Sequence, residues 1–216
     1  MTSSSTINFS AQVKMSDAYT EFCGSAGYCN SPLYISYGGK RFVVYRNNGG
    51  YKAVYDGVYT SNYYLQSGCC NNGHCTYSGS QYTNGVTSSY LNGTFLSSLS
   101  NYSSKLTYAT WYTGLSSNVY SRSASAYVGL MDYDEIQSTK YKSWVHSGTG
   151  GSYFWLLTPY TGNTYVYNYI ASCSGSNCSL STKVVNDSSG VRPVIVLNGS
   201  IVFTSGDGSY SNTYVV

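Results

Sequence analysis

The stretch from Tyr153 to Thr204 constrains this chain most, because its spacing suits strands and not helices. It contains an apolar run expected to be buried (Tyr153 to Leu157), an alternation of tyrosines at 165, 167 and 169, and a cysteine pair, Cys173 and Cys178, around Ser-Gly-Ser-Asn. A second apolar run follows Gly190-Val191-Arg192-Pro193. Side chains alternate along a strand, so Tyr165, Tyr167 and Tyr169 share one face and Val166, Asn168 and Ile170 share the other. The tyrosine row is a recognition patch if the Val/Ile face is core, and packing if the row points inward. Three buried phenols would need three hydrogen-bond partners, which favours exposure. Tyr160, Tyr165, Tyr167 and Tyr169 are therefore the candidate ligand-contact residues. A Cys173–Cys178 disulfide would staple a hairpin tip beside them.

What surrounds this stretch narrows the class. The 216 residues show no break in composition, so one domain is expected over residues 33–216, preceded by a leader or helical stub over residues 1–32. Only 9% of residues are charged and the net charge is +3, with the basic residues scattered, so neither nucleic acid nor a membrane surface is an expected partner. The 27 tyrosines, set among Ser, Gly and Asn, form the mixture that binding loops use for large contact area at low entropic cost. Strands with polar surfaces accept Tyr for a plainer reason, their β-propensity.

Seven cysteines with short local spacings point to an oxidising compartment. The expected pairs are Cys23 with Cys29, Cys173 with Cys178, and one pair among Cys69, Cys70 and Cys75, taken as Cys70 with Cys75. No secretory signal, transmembrane helix or lipidation motif is legible, so an exported form is expected as a mature or truncated ectodomain.

In chain order, Ile7 to Glu21 has weak helical periodicity with Ser16 or Asp17 as cap and Gly24 as stop. From Leu33 to Tyr59, LYISY, KRFVVYRN and YKAVYDGVY alternate and are joined at Gly38-Gly39 and Asn48-Gly49-Gly50, which predicts a β-meander. Gly68 to Ser80 reads as a loop. Cys69, Cys70, His74 and Cys75 match no closed zinc pattern, so no metal is expected there. Tyr90, Leu91, Phe95 and Leu99 predict a helix behind Thr87 or Ser88, interrupted at Asn101 before a second turn near Leu106. Trp111-Tyr112 and Tyr127 to Met131 read as short extended segments. Asp132 and Glu135 have capping-box spacing, a better account of these acids than a calcium loop.

Nothing predicts a reaction. His74 and His146 have no nucleophile-elbow partner, SGTGG precedes a strand and not a helix, and no pair of carboxylates is recognisable across a cleft. The protein is expected not to be an enzyme and to need no cofactor.

The motifs KRFVVYRNNGGYKAVYDG (Lys40 to Gly57), SSYLNGTFLSSL (Ser88 to Leu99), YVGLMDYDEI (Tyr127 to Ile136), YFWLLTP (Tyr153 to Pro159) and SGVRPVIVLNGSIVFTSGDG (Ser189 to Gly208) resemble, in this order, a poorly characterised domain family. Its members are surface proteins of Gram-positive, often gut, bacteria, frequently carried behind a pilin-like helix. The resemblance covers most of the chain from about Leu33, and GVRPV with its trailing SGDG is the most specific part. The motif order is similar to that of the C-type-lectin-like fold of formylglycine-generating enzymes and diversity-generating-retroelement variable proteins. It implies an α+β, C-type-lectin-like fold, mainly antiparallel β with two or three short helices and long loops, and places Trp155 and the Arg192-Pro193 strand in the core. The chain departs from the family in lacking the pilin helix and in its extra cysteines. No catalytic residue is implied. The expected function is an extracellular adhesion module binding a protein or glycan on a host or bacterial surface. The alternative is a self-assembling, pilin-like subunit, and a carbohydrate-active enzyme ranks behind both.

Overall fold

The computed structural model describes residues 12–25, 27–63, 86–112, 123–160, 167–185 and 187–216. Alternating sequence forms three consecutive strands, β1 (Tyr28–Tyr37), β2 (Lys40–Asn47) and β3 (Tyr51–Tyr55). They pair antiparallel in chain order, Ile35 opposite Phe42 and Val43 opposite Val54, so the predicted meander forms. Its first joint needs glycine twice over. Gly38 has φ 58°, and a Cβ there would lie 2.9 Å from the Ser98 carbonyl oxygen.

Ahead of the meander lies helix α1 (Met15–Cys23), ending at Gly24 as predicted, with φ 67°. Its start differs from expectation. Ser16 and Asp17 sit inside the first turn, and the chain needs no side-chain cap because Met15 N–H donates to Ile201 O (2.8 Å) and Ser16 N–H to Gly199 O (3.3 Å). The first strand likewise begins at Tyr28, ahead of the predicted Leu33.

The chain continues through β4 (Thr60–Tyr63), α2 (Val86–Tyr90), α3 (Tyr102–Lys105), β5 (Ala109–Tyr112), β6 (Ser123–Ala126) and β7 (Val128–Gly129). Helix α2 runs on through a π turn, Leu91–Phe95, and the predicted stripe Leu91, Phe95 and Leu99 is buried. Thr87 and Ser88 are buried within α2 and do not cap it. Asn101 breaks the helix as predicted by adopting a left-handed conformation, φ 52°. Then come α4 (Tyr133–Thr139), α5 (Ser143–His146), β8 (Tyr153–Tyr160), β9 (Tyr167–Ser174), β10 (Asn177–Val184), β11 (Ser188–Val191), β12 (Val194–Leu197) and β13 (Tyr214–Val215).

One sheet runs β13-β1-β2-β3-β12-β7, a second β10-β9-β8-β11-β4, and β5 pairs with β6. Among the described residues only β1 with β13 and β8 with β11 pair parallel. The fold is mixed α+β, mostly antiparallel, with few short helices. Strand β8 is covered on both faces: Phe154, Trp155, Leu156 and Leu157 are all buried, whereas Tyr153, predicted with them, is 51% exposed.

The two large sheets share one continuous segment. Strand β11 belongs to the second sheet and β12 to the first, with Arg192-Pro193 between them. Pro193 has no N–H for a ladder, which suits a strand change at this point. Arg192 is 1% exposed and fills the junction. Its Nε donates to Tyr55 O (3.0 Å), Nη1 to His146 Nδ1 (3.0 Å) and Nη2 to Val145 O. Arginine only donates, so His146 Nδ1 accepts and the ring proton sits on Nε2, facing Thr139 Oγ1 at 3.2 Å. The Thr139 hydroxyl in turn donates to Glu135 O (2.6 Å).

Trp155 is fully buried and its Nε1 donates to Asn62 O (2.8 Å), tying β8 to β4. Trp155→Ala removes a large core ring and its hydrogen bond to Asn62. Urea unfolding followed by circular dichroism is expected to show a loss of about 3–5 kcal/mol, and a loss under about 1 kcal/mol would mean the second sheet does not depend on this ring.

Candidate functional site

The tyrosine row is partly placed. Tyr167 and Tyr169 lie on one side of β9, both half-buried, while Asn168 and Ile170 on the other side are buried. Tyr160, 40% exposed, stands opposite Tyr167 across the β8–β9 pair. The Tyr169 ring sits 5.4 Å from Tyr160 and 4.9 Å from Tyr133, centroid to centroid. These rings form a ridge held by edge and tilted contacts rather than a cavity. Tyr165 lies outside the described residues, as do Cys69, Cys70, His74 and Cys75.

Both other predicted disulfides form. Cys23–Cys29 ties the end of α1 to the start of β1, and Cys173–Cys178 joins directly opposed residues of β9 and β10. The second closes a hairpin whose tip carries Gly175, with φ 59°. His146 also lies near Cys173 and Cys178, but their sulfurs are bonded to each other and offer no thiolate for a metal.

The capping box predicted at α4 is present. Asp132 Oδ1 accepts from Glu135 N–H (2.7 Å) and Glu135 Oε2 from Asp132 N–H (3.2 Å). The sequence reading missed the second role of Glu135. Its side chain is fully buried, and it also accepts from Tyr45 Oη (3.0 Å), Arg46 Nη1 (3.1 Å) and Lys52 Nζ (2.6 Å). A signal for this was available. Arg46 and Lys52 stand opposite each other across the β2–β3 hairpin, and like charges so placed call for an acid between them. With all these donors converging, Glu135 is an internal counter-ion and not a free base. Burial, reinforced by the Glu135 charge, raises the Asp132 carboxyl to about 6.

A separate cleft of about 950 Å³ opens between α1, β1 and α5. Five segments wall it. Glu21 and Phe22 come from α1, Ser31, Pro32 and Tyr34 from β1, and Ser143 and Trp144 from α5 with Ser147 and Gly148 just after it. Gly175 comes from the hairpin tip, and Ser209 and Tyr210 from the C-terminal segment. The two disulfides fix two of these walls, the α1–β1 corner and the hairpin tip.

Charge and rings are arranged around one anchor. Arg41 Nε pairs with Asp56 Oδ2 (2.7 Å), its Nη2 donates to Tyr210 Oη (2.6 Å), and its guanidinium lies 3.8 Å from the Tyr210 ring centroid. Tyr34 meets Tyr210 edge-on at 5.2 Å. Beneath the cleft, Asp56 Oδ1 is buried with no hydrogen-bond partner among the described residues, and a Cβ on Gly148 would lie 2.5 Å from it. Gly148 therefore has to lack a side chain. None of the cleft's aromatic residues was singled out for binding from the sequence, since they come from segments far apart in the chain.

No protein-family model, no curated protein and no solved structure matches this chain.

Two predictions follow from the buried charges. Glu135→Ala leaves Arg46 and Lys52 facing each other, and their side chains keep 24% and 12% exposure, so they retain some hydration. The expected cost is about 3 kcal/mol by urea titration, at the low end of the range for breaking a buried pair; no loss would show that the cations do not depend on this acid.

The second concerns pH. Asp132 has a folded pKa of about 6, above its ordinary value, so its contribution is full below about pH 4 and is lost as pH rises through 6. His146 is lowered to about 3 by burial and then by Arg192, so its contribution is full above about pH 6.5 and is lost as pH falls through 3. The slopes oppose each other. Between pH 4 and 6, stability of Asp132→Asn is expected to rise with pH more steeply than the parent's, and that of His146→Gln to rise less or fall; parallel curves would refute both assignments.

Proposed function

We propose that this chain is an extracellular ligand-binding module of the adhesin type, displaying a tyrosine-rich recognition surface on a bacterial cell surface or pilus. The ligand is a protein or glycan of a host or bacterial surface. The observation that carries this reading is the cleft walled by five segments and bracketed by two disulfides. Walls held in place before the ligand arrives lose little entropy on binding, and Tyr, Trp and Ser supply contact area with few rotatable bonds. The ridge of Tyr160, Tyr167 and Tyr169 is a second aromatic surface, with Tyr160 and Tyr167 at the end of β9 away from the hairpin tip.

The α+β, mostly antiparallel architecture supports a C-type-lectin-like scaffold as the finer reading. The disulfides suit an oxidising, extracellular setting, and no described helix is long and apolar enough to cross a membrane. A binding role is favoured over a catalytic one by what the buried titratable groups do. His146 and Glu135 are both buried and committed to internal partners.

Self-assembly is the second reading, favoured by exposed rings away from the cleft, Tyr141 at 77% and Tyr108 at 60%. A strictly monomeric protein in sedimentation at high concentration removes it.

Binding to immobilised mucus glycoproteins and to whole bacterial cells is expected to saturate, and to weaken at least tenfold in Trp144→Ala and in Tyr210→Ala. A smaller loss in Tyr167→Ala would rank the ridge below the cleft. Saturable binding that none of the three variants changes would refute this surface as the recognition site.

A further inference from the structure

We infer that the cleft between α1, β1 and α5 binds a neutral oligosaccharide, stacked on Trp144 and Tyr210 and hydrogen-bonded by serine hydroxyls, without calcium. The inference rests on the binding role proposed above and names the ligand class of that same site.

The lining chemistry selects the class. A pyranose ring presents an apolar C–H face and a rim of hydroxyls. The cleft offers the complement, aromatic rings beside the hydroxyls of Ser31 and Ser143, with those of Ser147 and Ser209 also bonded to Trp144 O and Asn212 N–H. Tyr210 is 55% exposed, and Arg41 covers one face of its ring while fixing its hydroxyl. Tyr34 meets the same ring at right angles, so the ring is already held in position while about half of the residue stays exposed. Trp144 on α5 is half-buried, so its ring is supported from behind and partly accessible. At about 950 Å³ the cleft is at the upper end of small-molecule sites, roughly 300–1,000 Å³, which suits more than a single sugar ring.

Charge excludes the acidic glycans. The one charged residue among the described lining is Glu21, a carboxylate. Of the neighbouring cations, Arg41 is engaged by Asp56 and Tyr210, and Lys142, beside Ser143, donates to Asn30 Oδ1 (3.2 Å); Asp56 lies directly beneath Gly148 with an unpartnered carboxylate oxygen. A sialylated or sulfated sugar would meet the Glu21 carboxylate while Arg41 and Lys142 are engaged by other partners, a penalty that discriminates against it. Calcium bridging needs six to eight oxygen ligands, several of them carboxylates, and the described lining offers one carboxylate.

Isothermal titration with neutral hexose and N-acetylhexosamine oligosaccharides, and with sialylated and sulfated counterparts, tests the assignment. The expected result is saturable binding of at least one neutral oligosaccharide, unchanged in EDTA, and weakened at least tenfold in Trp144→Ala and in Tyr210→Ala. Circular dichroism would establish that both variants remain folded, and Tyr210, being exposed, keeps the test open if Trp144→Ala does not fold. Glu21→Lys is expected to admit acidic oligosaccharides that the parent rejects. Binding restricted to acidic glycans, binding abolished by EDTA, or neutral binding indifferent to the cleft variants would overturn the inference. If no oligosaccharide binds while mucus or cell binding persists and depends on the cleft, the ligand class falls and the binding role stands. If neither is observed, both fall.

Discussion

A buried guanidinium at Arg192 is the constraint on which the rest of this fold depends. It sits where one continuous segment leaves the second sheet and enters the first, and every nitrogen of its fork is given to a partner, one on β3 and two on α5. Burying a charge without partners is prohibitively costly, so Tyr55, Val145 and His146 must all arrive together for the junction to close. Burial lowers the guanidinium to about 10, and its positive field helps keep His146 neutral, as an acceptor at Nδ1 must be. The relay through Thr139 then ends on the backbone carbonyl of Glu135, whose side chain is the internal counter-ion of the first sheet. The polar interior is thus one connected chain of donors and acceptors linking β3, α4, α5 and the strand crossover.

This interior also positions the surface. Helix α5 is held by Arg192 through Val145 and His146, and the same short helix presents Trp144 outward to the cleft. The opposite wall is set by Arg41, which joins Asp56 just after β3 to Tyr210 in the C-terminal segment. Two disulfides then fix the α1–β1 corner and the hairpin tip. A charge-poor protein gains rigidity around this cleft through cross-links and buried fork contacts rather than through surface ion pairs, which contribute little when exposed.

The local structure was legible where one short segment carries the whole signal. The glycine pairs of the meander, the left-handed break at Asn101, the stop at Gly24 and the Asp132–Glu135 box all depend on neighbours within a few residues. Errors fell where a distant backbone group substituted for a local one. Ser16 and Asp17 looked like caps, yet carbonyls from Gly199 and Ile201 already satisfy the start of α1. Tyr153 looked like core because it adjoins an apolar run, but it sits at the strand's exposed end.

The amino-acid sequence by itself determined the periodicities, the turns and the two short-range disulfides, because each is settled by spacing along a few residues. It also determined that Tyr167 and Tyr169 share a face, since alternation follows from strand geometry alone. Only the tertiary structure decided that Phe22, Tyr34, Trp144 and Tyr210 surround one cleft, and that Glu135 neutralises two cations from a hairpin some eighty residues earlier. Those relations arise when separate segments pack around a common core, and no local pattern records which distant side chain will complete a site.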